Sequence, residues 1–187
     1  MSRRVTDGLH DLAELASRTA DTLEDSLDRA LEMVRQTVRS GGTLLFCGNG
    51  GSAADAQHLA AEYVARYMRT RRAYPAIALT TDSSLLTAVG NDLGFDEIFA
   101  RQVEAHGKRG DLLIIHSTSG NSPNVLRAAQ VARTLEIPVL AFAARDGGAL
   151  AHLVDHIVVV PTERTDRAQE IHMCVQHLIC EIVEEEI

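Results

Sequence analysis

Five short apolar segments, each of strand length and with little polar alternation, constrain the fold of this 187-residue chain most strongly. Such runs are typical of parallel strands, because helices cover both faces of a parallel sheet. Helical patterns separate them, and strands alternating with helices are typical of a doubly wound α/β fold. The predicted strands span residues 43–47, 76–79, 112–115, 139–142 and 157–160, and the predicted helices span residues 52–67, 96–106, 123–135, 148–152 and 166–185.

The first forty residues have no strand pattern and predict two helices. One apolar stripe consists of Leu9, Leu12, Leu15 and Ala16, and a second consists of Leu23, Leu27, Leu31, Val34 and Val38. Two glycines, Gly41 and Gly42, end the second helix. Because these helices have no strand partner, we expect residues 1–40 to pack partly against another subunit. Packing on their own domain alone is the alternative.

Composition limits the class of protein. The chain is 45% apolar and 24% charged, which is ordinary for one compact domain, predicted here to span residues 1–187. A net charge of -8 offers no general basic face, so neither nucleic acid nor a membrane is an expected partner. The three cysteines form no predicted pair, and the N-terminus has no apolar leader segment. We therefore expect a cytoplasmic protein.

Two polar loops follow predicted strands and open predicted helices. Residues 47–52 read Cys-Gly-Asn-Gly-Gly-Ser, in which Ser52 is the predicted helix N-cap with Asp55 three residues on. Residues 117–122 read Ser-Thr-Ser-Gly-Asn-Ser, and Pro123 follows. Hydroxyls and helix N-termini at the carboxyl ends of strands form a neutral cradle for a phosphate dianion. We predict a sugar-phosphate site; tight or solvated turns are the alternative.

Titratable side chains recur at helical spacing on two predicted helices. His58 and Glu62 are four residues apart on one helix face, where they can share a metal or a proton. Gln169 and His177 lie on the last helix, about 12 Å apart along its axis. The side chains of Gln169 and His177 can reach one metal ion only if both bend toward each other along the helix, unless the site is shared between subunits. A surface salt bridge is the alternative for His58 and Glu62.

Four segments together resemble the phosphoheptose isomerases of the sugar-isomerase (SIS) domain superfamily. They are GNGGSAADAQHLAAE at residues 48–62, GND at 90–92, STSGNSPNV at 117–125 and TDRAQEIHMCVQHLICEIVE at 165–184. The resemblance implies an SIS-type five-stranded parallel sheet and a homotetramer with active sites at subunit interfaces. It also implies isomerisation of sedoheptulose 7-phosphate to D-glycero-D-manno-heptose 7-phosphate, the first step of nucleotide-activated heptose synthesis.

The resemblance assigns roles by position. It gives phosphate contacts to Ser117, Thr118, Ser119 and Ser122, sugar contacts to Asn49, Gly50, Gly51, Ser52, Asn91, Asp92, Asp166 and Gln169, zinc ligands to His58, Glu62, Gln169 and His177, and proton transfer to Glu62 and His177. A carboxylate and an imidazole suit isomerisation through an enediol, and zinc polarises a carbonyl. Because a zinc-bound carboxylate is a weaker base, we expect the metal to be loosely bound.

His116 departs from the family pattern, which places a small or aliphatic residue immediately before the second loop. Our hypothesis is that its imidazole contacts the phosphate or changes the preferred length of the sugar. A tolerated histidine at the end of a strand is the alternative.

Two other functions stay open. Some SIS-domain proteins are non-catalytic partners, including a family that associates with the bacterial replication initiator. They lack the carboxylate position that Glu62 fills here, so Glu62 and His177 favour an enzyme. The second possibility is an isomerase of a related ketose phosphate in secondary metabolism.

Overall fold

A five-stranded, all-parallel sheet forms the centre of the computed structural model, which describes residues 4–187. The strands are β1 (Leu44–Gly48), β2 (Ala76–Ala78), β3 (Leu112–His116), β4 (Val139–Ala144) and β5 (His156–Val160), in the order β2-β1-β3-β4-β5. Every residue of β1, β3 and β4 is buried, which explains why these segments carry no polar alternation. The predicted α/β fold is confirmed.

Six α-helices cover the two faces of this sheet. They are α1 (Val5–Ser40), α2 (Gly51–Val64), α3 (Ser83–Asp92), α4 (Ala100–His106), α5 (Pro123–Thr134) and α6 (Thr165–Glu186), with short 3₁₀ helices at Phe95–Glu97 and Gly148–His152. One apolar core joins α1, α2 and α6 to the face that carries Phe46 and Ile114. A second core joins α3, α4 and α5 to the face that carries Leu45 and Leu113. Each strand therefore contributes alternate side chains to two separate cores.

The N-terminal helical pair is one helix with a kink. Leu23 interrupts α1 with non-helical backbone angles (φ -121°, ψ 16°), so the first predicted stripe precedes the kink and the second begins at it. Val34 and Val38 are buried against the sheet, whereas Leu9 is 60% exposed. Subunit contacts by residues 1–40, and one SIS domain over residues 1–187, stay predictions.

Two local predictions were wrong. Helix α3 was missed because its ten residues, SSLLTAVGND, are too few to show a clear helical repeat; Asp82 caps it by accepting a hydrogen bond from the Leu85 amide at 2.9 Å. Ser52 is not an N-cap, because α2 begins one residue earlier and Gly50 occupies the cap position with a φ of 57°. A positive φ favours glycine over serine, so backbone geometry decided that boundary.

All three cysteines are free. None of the helices within residues 4–187 combines the length and apolar character needed to cross a bilayer.

His116 is fully buried at the end of β3. Its imidazole stacks on Phe142 and Phe46 at centroid distances of 5.5 and 6.3 Å, and the amide Nε2 of Gln176 lies 3.3 Å from its Nε2. This environment explains how a histidine fits the strand. It supports the alternative of a tolerated histidine at the end of a strand, and phosphate contact and an effect on sugar length both stay predictions.

Two buried histidines make the fold sensitive to acid. Burial and then the neighbouring His172 lower the pKa of His116 to about 3, and burial lowers the pKa of His172 to about 4 against the hydrogen bond with the Ala143 carbonyl. Both imidazoles are therefore neutral in the folded protein at pH 5, while the unfolded chain binds protons from its ordinary value of 6.5 downward.

The free energy of unfolding should consequently fall as the pH drops from 6.5 to 4, with a slope of at most about 1.4 kcal/mol per pH unit for each of the two histidines. His116→Leu should make that decline less steep, which urea unfolding at a series of pH values measures. His10→Leu, at an exposed position on α1, is the control. An unchanged slope in His116→Leu would contradict the assignment.

Candidate active site

The two polar loops lie side by side at one edge of the sheet. β1 pairs with β3 in parallel, with Gly48 opposite His116, so the segments that follow these strands are neighbours. β2 lies on the other side of β1, which makes the β1–β3 crevice the point where the strand order reverses. Ligands of doubly wound sheets bind at such points.

A cavity of about 280 Å³ occupies this crevice, which we call the hydroxyl cavity. Its lining residues are Asn49, Gly50, Gly51, Ser52, His116, Ser117, Thr118, Ser119, Ser122, Thr165 and Gln169. No Asp, Glu, Lys or Arg is among them, and α2 and α5 both begin at its rim. The cavity is a neutral, hydroxyl-rich cradle at two helix N-termini, as the loops predicted.

Backbone contacts with the end of β4 and the segment after it fix the loop of residues 117–122. The Ala144 amide donates to the Thr118 carbonyl at 3.2 Å, and the Leu150 amide donates to the Gly120 carbonyl at 3.0 Å. Gly120 has a φ of 62°, and a Cβ there would lie 1.9 Å from the Gly147 carbonyl oxygen. Two features therefore require glycine at this position: the positive φ and the close approach of the Gly147 carbonyl.

An amide pair that the sequence analysis missed joins the two loops. The side chains of Asn49 and Asn124 exchange hydrogen bonds, each 2.8 Å long, and Asn124 is 1% exposed. This pair fixes the spacing of the two loops across the crevice. Asn124 belongs to the quoted motif STSGNSPNV, but only the pairing of β1 with β3 reveals its partner.

Gln169, on the first turns of α6, closes the side of the hydroxyl cavity. Its amide group lies against Gly51, where a Cβ would be 2.6 Å from Nε2. Thr165, at the start of the same helix, also lines the cavity and was not predicted. The N-terminal turns of α2 and α6 thus meet at the cavity.

Farther along the same two helices, His58, Glu62 and His177 form a second group, which we call the acid–base cluster. The Nε2 atoms of His58 and His177 are 2.9 Å apart, and His58 Nε2 lies 3.5 Å from Glu62 Oε1. Burial and then the neighbouring His58 lower the pKa of His177, while Glu62 opposes them. A carboxylate and two imidazoles in contact form a set of groups that can accept, hold and return a proton.

Comparison with known proteins identifies the family. The SIS domain family model matches residues 9–144. The chain is 49% identical to the phosphoheptose isomerase of Aliarcobacter butzleri over 93% of this chain and 92% of that protein. It is 53% identical to the phosphoheptose isomerase of Chlorobaculum parvum over 92% and 84% of the two chains. This chain belongs to the phosphoheptose isomerase family.

Solved structures of two family members share the whole architecture. The phosphoheptose isomerase from Neisseria gonorrhoeae superposes with a TM-score of 0.91 at 41% identity, and the one from Francisella tularensis with a TM-score of 0.93 at 34% identity. In both cases 97% of each chain is covered. The α/β sheet and all flanking helices are therefore those of a phosphoheptose isomerase.

Three residues with family-assigned sugar contacts lie outside the hydroxyl cavity. Asn91 and Asp92 end α3 on the surface, where the Asn91 amide donates to the Asp92 carboxylate at 2.7 Å. Asp166 is exposed and pairs with Arg164, whose hydrogen bond lowers the pKa of the Asp166 carboxyl. Their sugar contacts stay predictions.

The acid–base cluster has donors that suit zinc. Imidazole nitrogens and a carboxylate oxygen are among its usual ligands, and neighbouring ligands of a tetrahedral site lie about 3.3 Å apart. The distances of 2.9 and 3.5 Å within the cluster are of that order. Residues 4–187 nevertheless contain no group of three histidine, cysteine, aspartate or glutamate side chains arranged to hold a metal ion. The fourth predicted ligand, Gln169, lies against Gly51 and not in this cluster. Zinc binding stays a prediction.

Gly120→Ala should weaken phosphate binding at least about tenfold, equivalent to 1.4 kcal/mol, because the new methyl group displaces the loop from Gly147. Calorimetric titration with inorganic phosphate measures this. Gly110→Ala is the matched control: Gly110 also has a positive φ (94°), but a Cβ there has nothing within 4 Å. That variant should lose about 1–2 kcal/mol of stability and bind phosphate normally. Unaltered phosphate affinity in Gly120→Ala would disprove the role of the loop.

Proposed function

We propose that this chain is a sugar-phosphate aldose–ketose isomerase that converts sedoheptulose 7-phosphate to D-glycero-D-manno-heptose 7-phosphate. The observation that carries the proposal is that a neutral, hydroxyl-lined cavity and an acid–base cluster both lie along the same pair of helices, α2 and α6, which pack together. Gln169 and His177 are about 12 Å apart along α6. The site is therefore elongated, as a phosphorylated open-chain sugar requires.

The phosphate end would rest in the hydroxyl cavity. Its hydroxyls come from Ser117, Thr118, Ser119 and Ser122. In the described part of the chain, the Ser122 hydroxyl makes no capping hydrogen bond to α5 and is available to a ligand. A phosphate dianion in a cavity without charged side chains gains hydrogen bonds and the helix dipoles. This anchor would fix the chain so that its other end reaches the acid–base cluster.

The reacting end would lie at Glu62 and His177. Glu62 removes a proton from C1, and the electron pair forms the C1–C2 double bond of an enediol as the C2 carbonyl oxygen takes up a proton. Return of the proton to C2, with loss of the proton on O1, leaves an aldehyde at C1. His177 moves the protons between the two oxygens, because an imidazole can accept a proton at one ring nitrogen and donate one from the other.

We propose zinc as a loosely bound partner of His58, Glu62 and His177. The fourth predicted ligand, Gln169, lies against Gly51 in the same chain and would reach the ion only in a site shared between subunits. When bound, zinc supplies a Lewis acid that polarises the sugar carbonyl. Glu62 would be a weaker base while it is coordinated, so an exchangeable metal is more consistent with its role than a tightly held one.

We also propose a homotetramer with active sites at subunit interfaces. Exposed apolar side chains support this: Val64, Met68 and Leu178, adjacent in sequence to the acid–base cluster, are 46%, 65% and 52% exposed. Three free cysteines are consistent with the cytoplasm, where thiols stay reduced. The product would enter nucleotide-activated heptose synthesis.

Incubation of the purified protein with sedoheptulose 7-phosphate, before and after removal of metal by a chelator, tests the function and the metal together. We expect an aldose phosphate product, activity reduced at least about tenfold by the chelator, and recovery when zinc is added back. Full activity after complete metal removal would reject zinc. Binding of the sugar phosphate without any product, with zinc present, would indicate a non-catalytic SIS-domain protein instead.

Glu62→Gln should abolish turnover while calorimetry still detects binding of sedoheptulose 7-phosphate, because the amide keeps the shape of the side chain but cannot accept the C1 proton. Glu104→Gln, on the surface of α4 and paired there with Arg101, is the control and should retain wild-type turnover. Wild-type turnover in Glu62→Gln would exclude this residue as the base.

A further inference from the structure

Glu184, near the end of α6, is a buried carboxylate that the proposed mechanism does not use. It accepts hydrogen bonds from three successive backbone amides, those of Tyr67, Met68 and Arg69, at 2.9, 2.6 and 2.7 Å. Its side chain is 1% exposed. Burial would raise the pKa of Glu184, but the three amides and the Arg71 cation outweigh burial and hold it below its usual value. The group is therefore an anion in the folded protein.

Arg71 completes the ion pair and extends it to helix α2. Its Nε lies 3.0 Å from Glu184 Oε1, and the Arg71 side chain is 8% exposed. Its two terminal nitrogens donate to the backbone carbonyls of Glu62 and Tyr63, both at 2.9 Å. These carbonyls belong to the last turn of α2, which is a favourable place for a cation. Arg71 thus holds the backbone of the residue proposed as the base.

The segment held by Glu184 also carries a ring that contacts His177. The Tyr67 ring stacks on the His177 imidazole with a centroid distance of 5.3 Å and an interplanar angle of 20°. His58 meets the same imidazole edge to face at a centroid distance of 5.1 Å. Tyr67 is the first of the three residues whose amides bind Glu184, so the carboxylate determines where this ring lies.

A buried ion pair is a poor way to gain stability, since apolar side chains of similar volume often serve as well or better. This pair instead fixes the conformation of the backbone around it. Three amides and a guanidinium around one carboxylate permit one arrangement of the segment between α2 and β2.

We propose that Glu184 and Arg71 are positioning residues for the acid–base cluster: Glu184 holds Tyr67 against His177, and Arg71 holds the turn of α2 that carries Glu62. The inference rests on the proposed function of that cluster. Glu184 and Arg71 touch no reacting atom, and act only through the geometry of the two groups that do.

The test compares Glu184→Gln with Glu185→Gln, a neighbouring glutamate that is 49% exposed and paired with Arg69 on the surface. Loss of the carboxylate should lower kcat for sedoheptulose 7-phosphate about ten- to a hundredfold, as a displacement of about 1 Å would. KM should change little, because the hydroxyl cavity is untouched. Glu185→Gln should match the wild type. Wild-type kcat in folded Glu184→Gln, or a loss confined to KM, would overturn the proposal.

A second pair of variants covers the case in which Glu184→Gln does not fold. Tyr67→Ala should reproduce the loss of kcat, and Tyr67→Phe, which keeps the ring, should recover most of it. Equal activity in Tyr67→Ala and the wild type would reject the role of the ring.

A spectroscopic readout separates this proposal from the proposed function. In metal-free protein at one fixed pH, the ring-proton resonances of His177, assigned by their loss in His177→Ala, should shift in Tyr67→Ala and in Glu184→Gln but not in Glu185→Gln. An inactive wild type would end the isomerase proposal, and these shifts would still test the coupling. Identical His177 resonances in all variants would refute it.

Discussion

The parallel pairing of β1 with β3 is the constraint on which the rest of the site depends. It sets Gly48 opposite His116, so the chain leaves both strands at the same edge and turns into two helices whose N-termini face one crevice. The Asn49–Asn124 pair and the contact between Gly120 and Gly147 then fix the two loops at one separation. Backbone geometry determines the shape of the hydroxyl cavity more than any single side chain does. The pocket can hold a dianion without a charged side chain because helix N-termini present backbone N–H groups to it.

Helices α2 and α6 connect the hydroxyl cavity with the acid–base cluster. Their first turns border the hydroxyl cavity, and turns farther along bring His58 and His177 within 2.9 Å. The phosphate anchor and the acid–base cluster thus share two rigid elements, which is how a site retains the geometry that proton transfer needs. The buried pair of Glu184 and Arg71 strengthens the same frame at its far end.

Much of this could be predicted from the sequence, and the site residues that were missed have a common cause. The apolar runs predicted the sheet, and the loops and the His58–Glu62 spacing predicted the two parts of the site, because each signal is local. The partners of Asn49 and Tyr67 lie 75 and 117 residues away, so no local pattern shows that Asn124 and Glu184 complete the site. The position of Gln169 beside Gly51 likewise depends on how two helices pack. His116 looked like a ligand residue beside the loop, yet the pleat of β3 turns it into the core.

The central claim is that one sugar phosphate spans both parts of the site. The most direct test is a crystal structure of the Glu62→Gln variant with sedoheptulose 7-phosphate bound. Our account predicts the phosphate among the hydroxyls of residues 117–122, with C1 and C2 within about 3–3.5 Å of residue 62 or His177. A phosphate bound elsewhere, or reacting carbons remote from both side chains in every copy of the assembly, would contradict it.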